Sequence, residues 1–292
     1  MDLRHATDLA SVSPPNPLER PRMSDDITIR ELTVLEEYQE CCEVQEEIWG
    51  RGFSERVPTA ILRVSQKVGG ITAGAFDARG RMLGFVFGLT GIRNGRLAHW
   101  SDMLAVREHA RGRHIGERLK YYQREQVVAM GVEVMYWTFD PLVARNAHLN
   151  INRLGARAAE YCEDMYGSNT GSPVHGPIPT DRFVAAWELH RKVELTPGRD
   201  LPLAADAAAP LLNPLDARGR PTVTPAGNAP TVRVQIPVDS AGLEAQGSDL
   251  PLAWRLSVRG CVGPSLADGY GVVRFVRESG GALPYYVLSR SS

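Results

Sequence analysis

Residues 102–123 read DMLAVREHARGRHIGERLKYYQ. An apolar run ends at Val106, a short loop carries Gly112, and an amphipathic pattern opens at Gly116. A strand that runs through a tight turn into a helix constrains the fold strongly. The strand must lie in a sheet, and the helix must return across one face of it. Ile115, Leu119, Tyr122, Val127 and Met130 fall on or near one stripe of that helix. Glu117, Lys120, Arg124 and Glu125 fall mostly off it, so the apolar stripe is expected to pack on the sheet.

The same turn has a chemical reading. A helix N-terminus presents unpaired N–H groups and partial positive charge, which suits a phosphate or pyrophosphate. Arg111, Arg113 and Arg118 add full charges. A plain glycine turn with solvated arginines fits the local residues equally well. Two phosphate motifs are absent. Gly112 and Gly116 enclose three residues and are followed by Glu117, which is not a G-x-x-x-x-G-K-[ST] loop, and no G-x-G-x-x-G follows a strand.

Around this unit the chain alternates strands and helices. A strand near 27–30, a helix over LTVLEEYQECCEVQEEIW and a second helix from Pro58 to Lys67 precede it. Two strands about a turn at Asp77–Arg81, and RLAHWSDMLAV, complete the approach. VEVMYWTFD then reads as a buried strand and VARNAHLNINRLGA as a short helix. The expected fold class is α/β (α+β), a mixed, mostly antiparallel sheet flanked by helices, with an additional C-terminal α+β region. Residues 1–23 are polar and Pro-rich and are expected to be a disordered tail, with Met23 a plausible alternative start. Residues 24–190 form the first domain. Seven prolines between 197 and 230 mark residues 191–230 as a Pro/Ala-rich connection. Residues 231–292 supply a strand, a helix and a closing hairpin about Gly280-Gly281.

The formal net charge of −1 gives no global attraction to nucleic acid or to an anionic membrane. No stretch has the ~18 apolar residues of a membrane span. Four cysteines without a C-x-x-C pair argue against a zinc ribbon or a disulfide framework and suit a reducing cytoplasm. No metal site is expected.

Together the strand, turn and following helix resemble the GCN5-related N-acetyltransferases (GNAT). In that family a strand ending L-x-V enters [RQ]-x-x-G-x-[GA]. Leu104-Ala105-Val106 and Arg111-Gly112-Arg113-His114-Ile115-Gly116 match it, with His114 at the first motif glycine. RNAHLNINRLGA, with Asn146 and Leu154-Gly155-Ala156, is similar to the next family feature, and the resemblance spans roughly residues 26–166. It implies acetyl-CoA or another acyl-CoA as co-substrate. The pyrophosphate would lie on Arg111 to Gly116 and Glu117, with Asn146 nearby. The pantetheine arm would lie along the main chain of Met103, Leu104, Ala105 and Val106. It further implies an oxyanion donor near Leu104 and transfer to the amine of a small molecule or amino acid.

Acyl transfer from a thioester to an amine needs a base, an oxyanion donor and, for the leaving thiolate, an acid. Asp102 is the candidate base, expected on the same side of its strand as Leu104, with His99 and Ser101 opposite. The family's tyrosine acid falls on Ile151. Tyr161 and Tyr166, expected on a following helical stretch, are the substitutes, with core packing as their plainer role. Asp140 could hold an ammonium or simply shape the turn at Pro141. His114 could keep the turn through positive φ, projecting outward or toward the cofactor. A non-catalytic acyl-CoA-binding sensor is the alternative function. The C-terminal region could complete the sheet, cover the acceptor site or make a homodimer.

Overall fold

The computed structural model describes residues 27–167, 170–173, 178–191, 198, 200–240, 242–247, 249–277 and 280–290. The expected tail over 1–23 lies outside them. The first unit runs β1 (Thr28–Glu31), α1 (Leu35–Trp49), α2 (Thr59–Lys67), β2 (Ile71–Phe76), β3 (Met82–Arg93) and β4 (Arg96–Val106). It continues with α3 (Ile115–Ala129), β5 (Val134–Phe139), α4 (Ala144–Ala147), β6 (Arg157–Cys162) and β7 (Arg182–Glu188). These seven strands form one sheet in the order β1-β2-β3-β4-β5-β7-β6. Every pairing is antiparallel except β4 with β5. This is the mixed, mostly antiparallel sheet expected from the sequence.

Helices cover both faces. On one, Tyr38, Cys41 and Val44 of α1 and Leu62 of α2 pack on Phe85, Phe87, Met103 and Ala105. On the other, Ile115, Leu119 and Val127 of α3 pack on Ala73, Ala75, Val86 and Met135. The apolar stripe of α3 is therefore largely as expected, with one correction. Lys120 is only 2% exposed and Gln123 is fully buried, whereas Met130 is 38% exposed. The stripe turns a polar flank into the sheet because polar side chains of β4, His99 and Ser101, wait there to receive it.

Two further elements differ from expectation. Tyr161 lies on β6, a strand, and Tyr166 in the turn after it, not on a helix. The segment RFVAAWE forms β7, which inserts between β5 and β6. Both faces of β7 are covered, so it lacks the polar alternation that marks a half-exposed strand. Past α4 the chain continues as a π-helical turn from His148 to Arg153.

The C-terminal residues form α5 (Ala204–Ala208), β8 (Thr231–Gln235), α6 (Leu243–Gln246), α7 (Leu250–Ala267), β9 (Tyr270–Val276) and β10 (Tyr285–Arg290). The three strands make a second sheet, β8-β10-β9. Trp254, Phe275 and Tyr286 join the same apolar cluster as α3 and β5. Tyr286 Oη donates to Pro141 O (2.8 Å), and Asn152 Nδ2 donates to Phe275 O (2.7 Å). The connection is ordered where described, with Asp216 closing a turn through the N–H groups of Arg218 and Arg220.

Candidate active site

The site begins with an irregularity in β4. Phe87 pairs with Met103 and Leu89 with Trp100, so two residues of β4, Ser101 and Asp102, stand opposite the single Gly88 of β3. Such a bulge bends its strand and strengthens its twist. It lies where β4 parts from β5. The parallel pairing covers only Ala98–Trp100 against Val134–Tyr136. Beyond Trp100 and Tyr136 the two strands diverge, and a cleft of about 300 Å³ opens between them.

The bulge also reverses an expectation drawn from strict alternation. Asp102 does not share a face with Leu104 against Ser101 and His99. Ser101 and His99 face α3, as does Leu104, which packs on the α3-side cluster. Asp102 lies instead beside Glu55 in the cleft wall, its carboxylate desolvated by the surrounding walls although part of the residue is open to the cleft. The extra residue shifts the two-residue period by one.

Past the bulge the register is regular. Arg107 N–H bonds Leu83 O (2.9 Å). In an antiparallel pair every second residue turns its main-chain groups to the partner. Those of Ala105 and Met103 thus point to β3, and those of Leu104 and Val106 point to the unpaired cleft edge. An N–H at Leu104 is where an oxyanion donor was expected.

At the mouth of the cleft the chain makes the glycine turn and enters α3. Gly112 (φ 78°) and His114 (φ 56°, ψ 18°) both take the left-handed conformation. His114 caps α3 with its side chain more than half exposed and Nδ1 3.4 Å from Glu117 Oε2. Glu117 is also bound by Arg153 (3.1 Å). The first N–H of this stretch to bond back along α3 is that of Arg118, to His114 O (3.0 Å). The earlier amide groups of the turn form the positive end of a 15-residue helix. A Cβ added at Gly112 would meet nothing within 4 Å, so the turn is open to an approaching anion. Arg111 is exposed and Arg113 half-exposed beside it.

One wall of the cleft carries Lys120, Ser101, Trp137, Arg145, Asn146, Leu149 and Asn150; the other carries Trp49, Phe53, Glu55 and Asp102, with Tyr166 and Arg182 at the β5–β7 end. Asn146 lies in the cleft lining. Burial raises the Asp102 pKa above the ordinary carboxylate range, and the Glu55 charge adds to it. Tyr166 Oη lies 2.9 Å from Thr138 Oγ1, and burial raises its pKa, keeping the phenol protonated. Tyr161 does not reach the cleft. Its hydroxyl donates to Asp181 Oδ2 (2.7 Å), a fully buried carboxylate that also receives Arg259. Ile151 is buried in the core.

Two features of the site were not anticipated. Lys120 Nζ donates to Ser101 Oγ (2.6 Å) and sits 4.1 Å from the Trp137 ring centroid. Burial lowers its pKa to about 7. Next to it, Thr90 Oγ1 donates to Gly69 O (2.6 Å), so His99 Nδ1 must donate to Thr90, leaving Nε2 to accept from Gln123 Nε2 (3.0 Å). Burial, with the Lys120 charge, lowers the His99 pKa to about 3, so the ring is neutral. The second feature is Arg255 of α7, whose guanidinium binds Asp140 through both nitrogens (2.9 and 2.6 Å), with Arg182 3.5 Å away. Burial alone would raise the Asp140 pKa; the Arg255 charge and hydrogen bonds, with Arg182, bring it below the ordinary range. Asp140 therefore holds a guanidinium of the chain itself and also caps Leu142 N (2.8 Å).

Among the described residues no group of His, Cys, Asp and Glu could hold a metal ion, and no helix is long and apolar enough to cross a membrane. No protein-family model matches the chain, and no curated protein matches it. Solved structures do. A putative acetyltransferase from Salmonella typhimurium, solved with its cofactor acetyl-CoA, is 16% identical, covering 58% of this chain and 97% of that one, with a TM-score of 0.44. The aminoglycoside 6'-acetyltransferase type Ii is 15% identical over 57% and 99% (TM-score 0.45). The ribosomal-protein-S18-alanine N-acetyltransferase from Escherichia coli is 14% identical over 57% and 97% (TM-score 0.44).

Proposed function

We propose that the chain is an acyl-CoA-dependent N-acyltransferase that acylates the amine of a small molecule or amino acid by direct attack on the thioester. The observation that carries this reading is the parting of β4 from β5 into a cleft whose mouth is the open N-terminus of α3. A phosphate-bearing donor finds amide groups and arginines at the mouth. Its extended arm finds the unpaired main-chain groups of Val106 and Leu104, in the manner of an added strand.

The acceptor enters past Trp49, Phe53, Glu55 and Asp102. An ammonium is drawn by the two carboxylates, and Asp102, with its raised pKa, takes the proton that must leave before attack. The amine nitrogen then bonds to the acyl carbon. The negative charge on the carbonyl oxygen is met by the Leu104 N–H. Collapse breaks the carbon–sulfur bond; Tyr166, the phenol that lines the cleft, supplies the proton that the thiolate takes up and is reprotonated by the second proton that the acylated nitrogen sheds.

The test is thiol release from acyl-CoA with a panel of small amines and amino acids. The expected result is amine-dependent release that falls sharply in Asp102→Asn. Tight binding of CoA with no release across the panel would instead favour a sensor.

A further inference from the structure

The cleft closes where β4 and β5 are last paired, at Trp100 and Tyr136, and opens from there toward the end of β4, which leads into the α3 turn. The next residue of each strand, Ser101 and Trp137, forms this closed end, and Lys120 lies against both. Lys120 is 2% exposed. One N–H is taken by the Ser101 hydroxyl, and the indole face offers a cation–π contact. Among the described residues no carboxylate lies within 4 Å of it, although 19 ion pairs are formed elsewhere. A buried charge without a counter-ion is costly, and chains rarely retain one that has no use.

Asn150 adds to this wall. Its Oδ1 accepts from Trp137 Nε1 (3.0 Å), which fixes the orientation of the amide and directs its Nδ2 donors away from the indole. With Arg145 and Asn146 the wall is one of donors and cations. Of the three carboxylates that line the cleft, Glu55 and Asp102 belong to the opposite wall, and Asp140 is already bound by Arg255 and Arg182.

This inference rests on the acyltransferase reading. A donor with its pyrophosphate on the α3 turn and its thioester at Leu104 points the tip of its acyl group along β4 toward Ser101 and Trp137. An acetyl methyl there would meet an ammonium and leave it without a counter-ion. We infer that the closed end of the cleft selects the acyl group. There Lys120 receives the distal carboxylate of a short dicarboxylic acyl chain, so the preferred donor is of the malonyl- or succinyl-CoA class. The bond accounting of the transfer is unchanged. The carbon–nitrogen bond forms, the carbon–sulfur bond breaks, the amine proton is released, and the distal carboxylate is carried across unreacted.

Titration calorimetry with CoA, acetyl-CoA and succinyl-CoA tests this on the full chain and on Lys120→Met and Ser101→Ala. The full chain should bind succinyl-CoA about tenfold or more tightly than acetyl-CoA, as for a charge-assisted contact out of water. Lys120→Met should bring the two within about twofold while CoA itself binds as before, and Ser101→Ala, which keeps the ammonium, should retain the preference. Equal affinities in the unaltered chain, or a preference that survives Lys120→Met, overturn the inference and leave the acyltransferase reading standing. Failure of all three ligands to bind the unaltered chain overturns both. Should Lys120→Met not fold, the preference of the unaltered chain decides.

Discussion

Replacing Lys120 by Met should make the protein more stable in mild acid and leave it no more stable in alkali. A free lysine titrates near 10.4; in the fold Lys120 titrates at about 7 because burial disfavours the ammonium. Below pH 7 both folded and unfolded chains carry the proton, so folding bears the full cost of burying the charge. Between 7 and 10.4 the folded chain sheds the proton and the unfolded chain keeps it, so stability climbs with pH. Above 10.4 the cost is gone. The gap exceeds three pH units at ~1.4 kcal/mol each, or roughly 4–5 kcal/mol. Lys120 is almost wholly buried, so solvent screening takes little from this figure. Methionine fills a similar volume and gives up the hydrogen bond to Ser101, worth about 1 kcal/mol. The expected gain is therefore about 3 kcal/mol at pH 6, vanishing or slightly reversing by pH 10.5. Urea unfolding of the two proteins across this range, followed by circular dichroism, measures the difference. The variant removes the Lys120 charge that adds to the lowering of the His99 pKa, but burial, the larger cause, keeps that ring neutral in both folded proteins from pH 6 upward, so it drops out of the difference over this range. A difference that is the same at both ends of the range would refute the assignment of an uncompensated ammonium.

Three more outcomes are expected. Asp102→Asn should lower kcat/KM by about 10²-fold or more; in the unaltered enzyme activity should fall as pH drops through a pKa above that of an ordinary carboxylate, since the base works only when ionised, and a pH–rate profile reads this limb. His114→Gly should leave CoA affinity within about twofold and raise stability by up to ~1 kcal/mol, because glycine relieves the left-handed strain at a side chain that points to solvent; calorimetry and thermal unfolding check both. Arg255→Met should cost about 3–5 kcal/mol in urea unfolding by leaving the Asp140 charge with Arg182 alone.

Much of the fold was legible in the sequence because it is written locally. The apolar run ending at Val106, the glycine turn after it and the stripe on α3 can each be read within about a dozen residues. What escaped was non-local. One extra residue in β4 shifts a period of two, and no local signal distinguishes a bulged strand from a regular one; that shift moved Asp102 off the face of Leu104. Lys120 has the character of a surface residue, and only the polar side of β4 opposite explains its burial. The Ala-rich segment before Trp187 hid β7, since a strand covered on both faces shows no alternation. Arg255 reaches Asp140 across 115 residues of sequence, a distance over which no spacing rule speaks.

That last contact has a mechanical meaning. Asp140 directly follows β5, the strand that forms one lip of the cleft, and its neighbour Pro141 accepts the Tyr286 hydroxyl. The lip is thus pinned at two adjacent residues to a unit that begins far downstream. If the cleft breathes as ligands enter and leave, the lip must drag α7 and β10 with it or break the pins. A fluorescent reporter on the solvent side of α7, at the exposed Leu256, would then register events in the cleft without touching it.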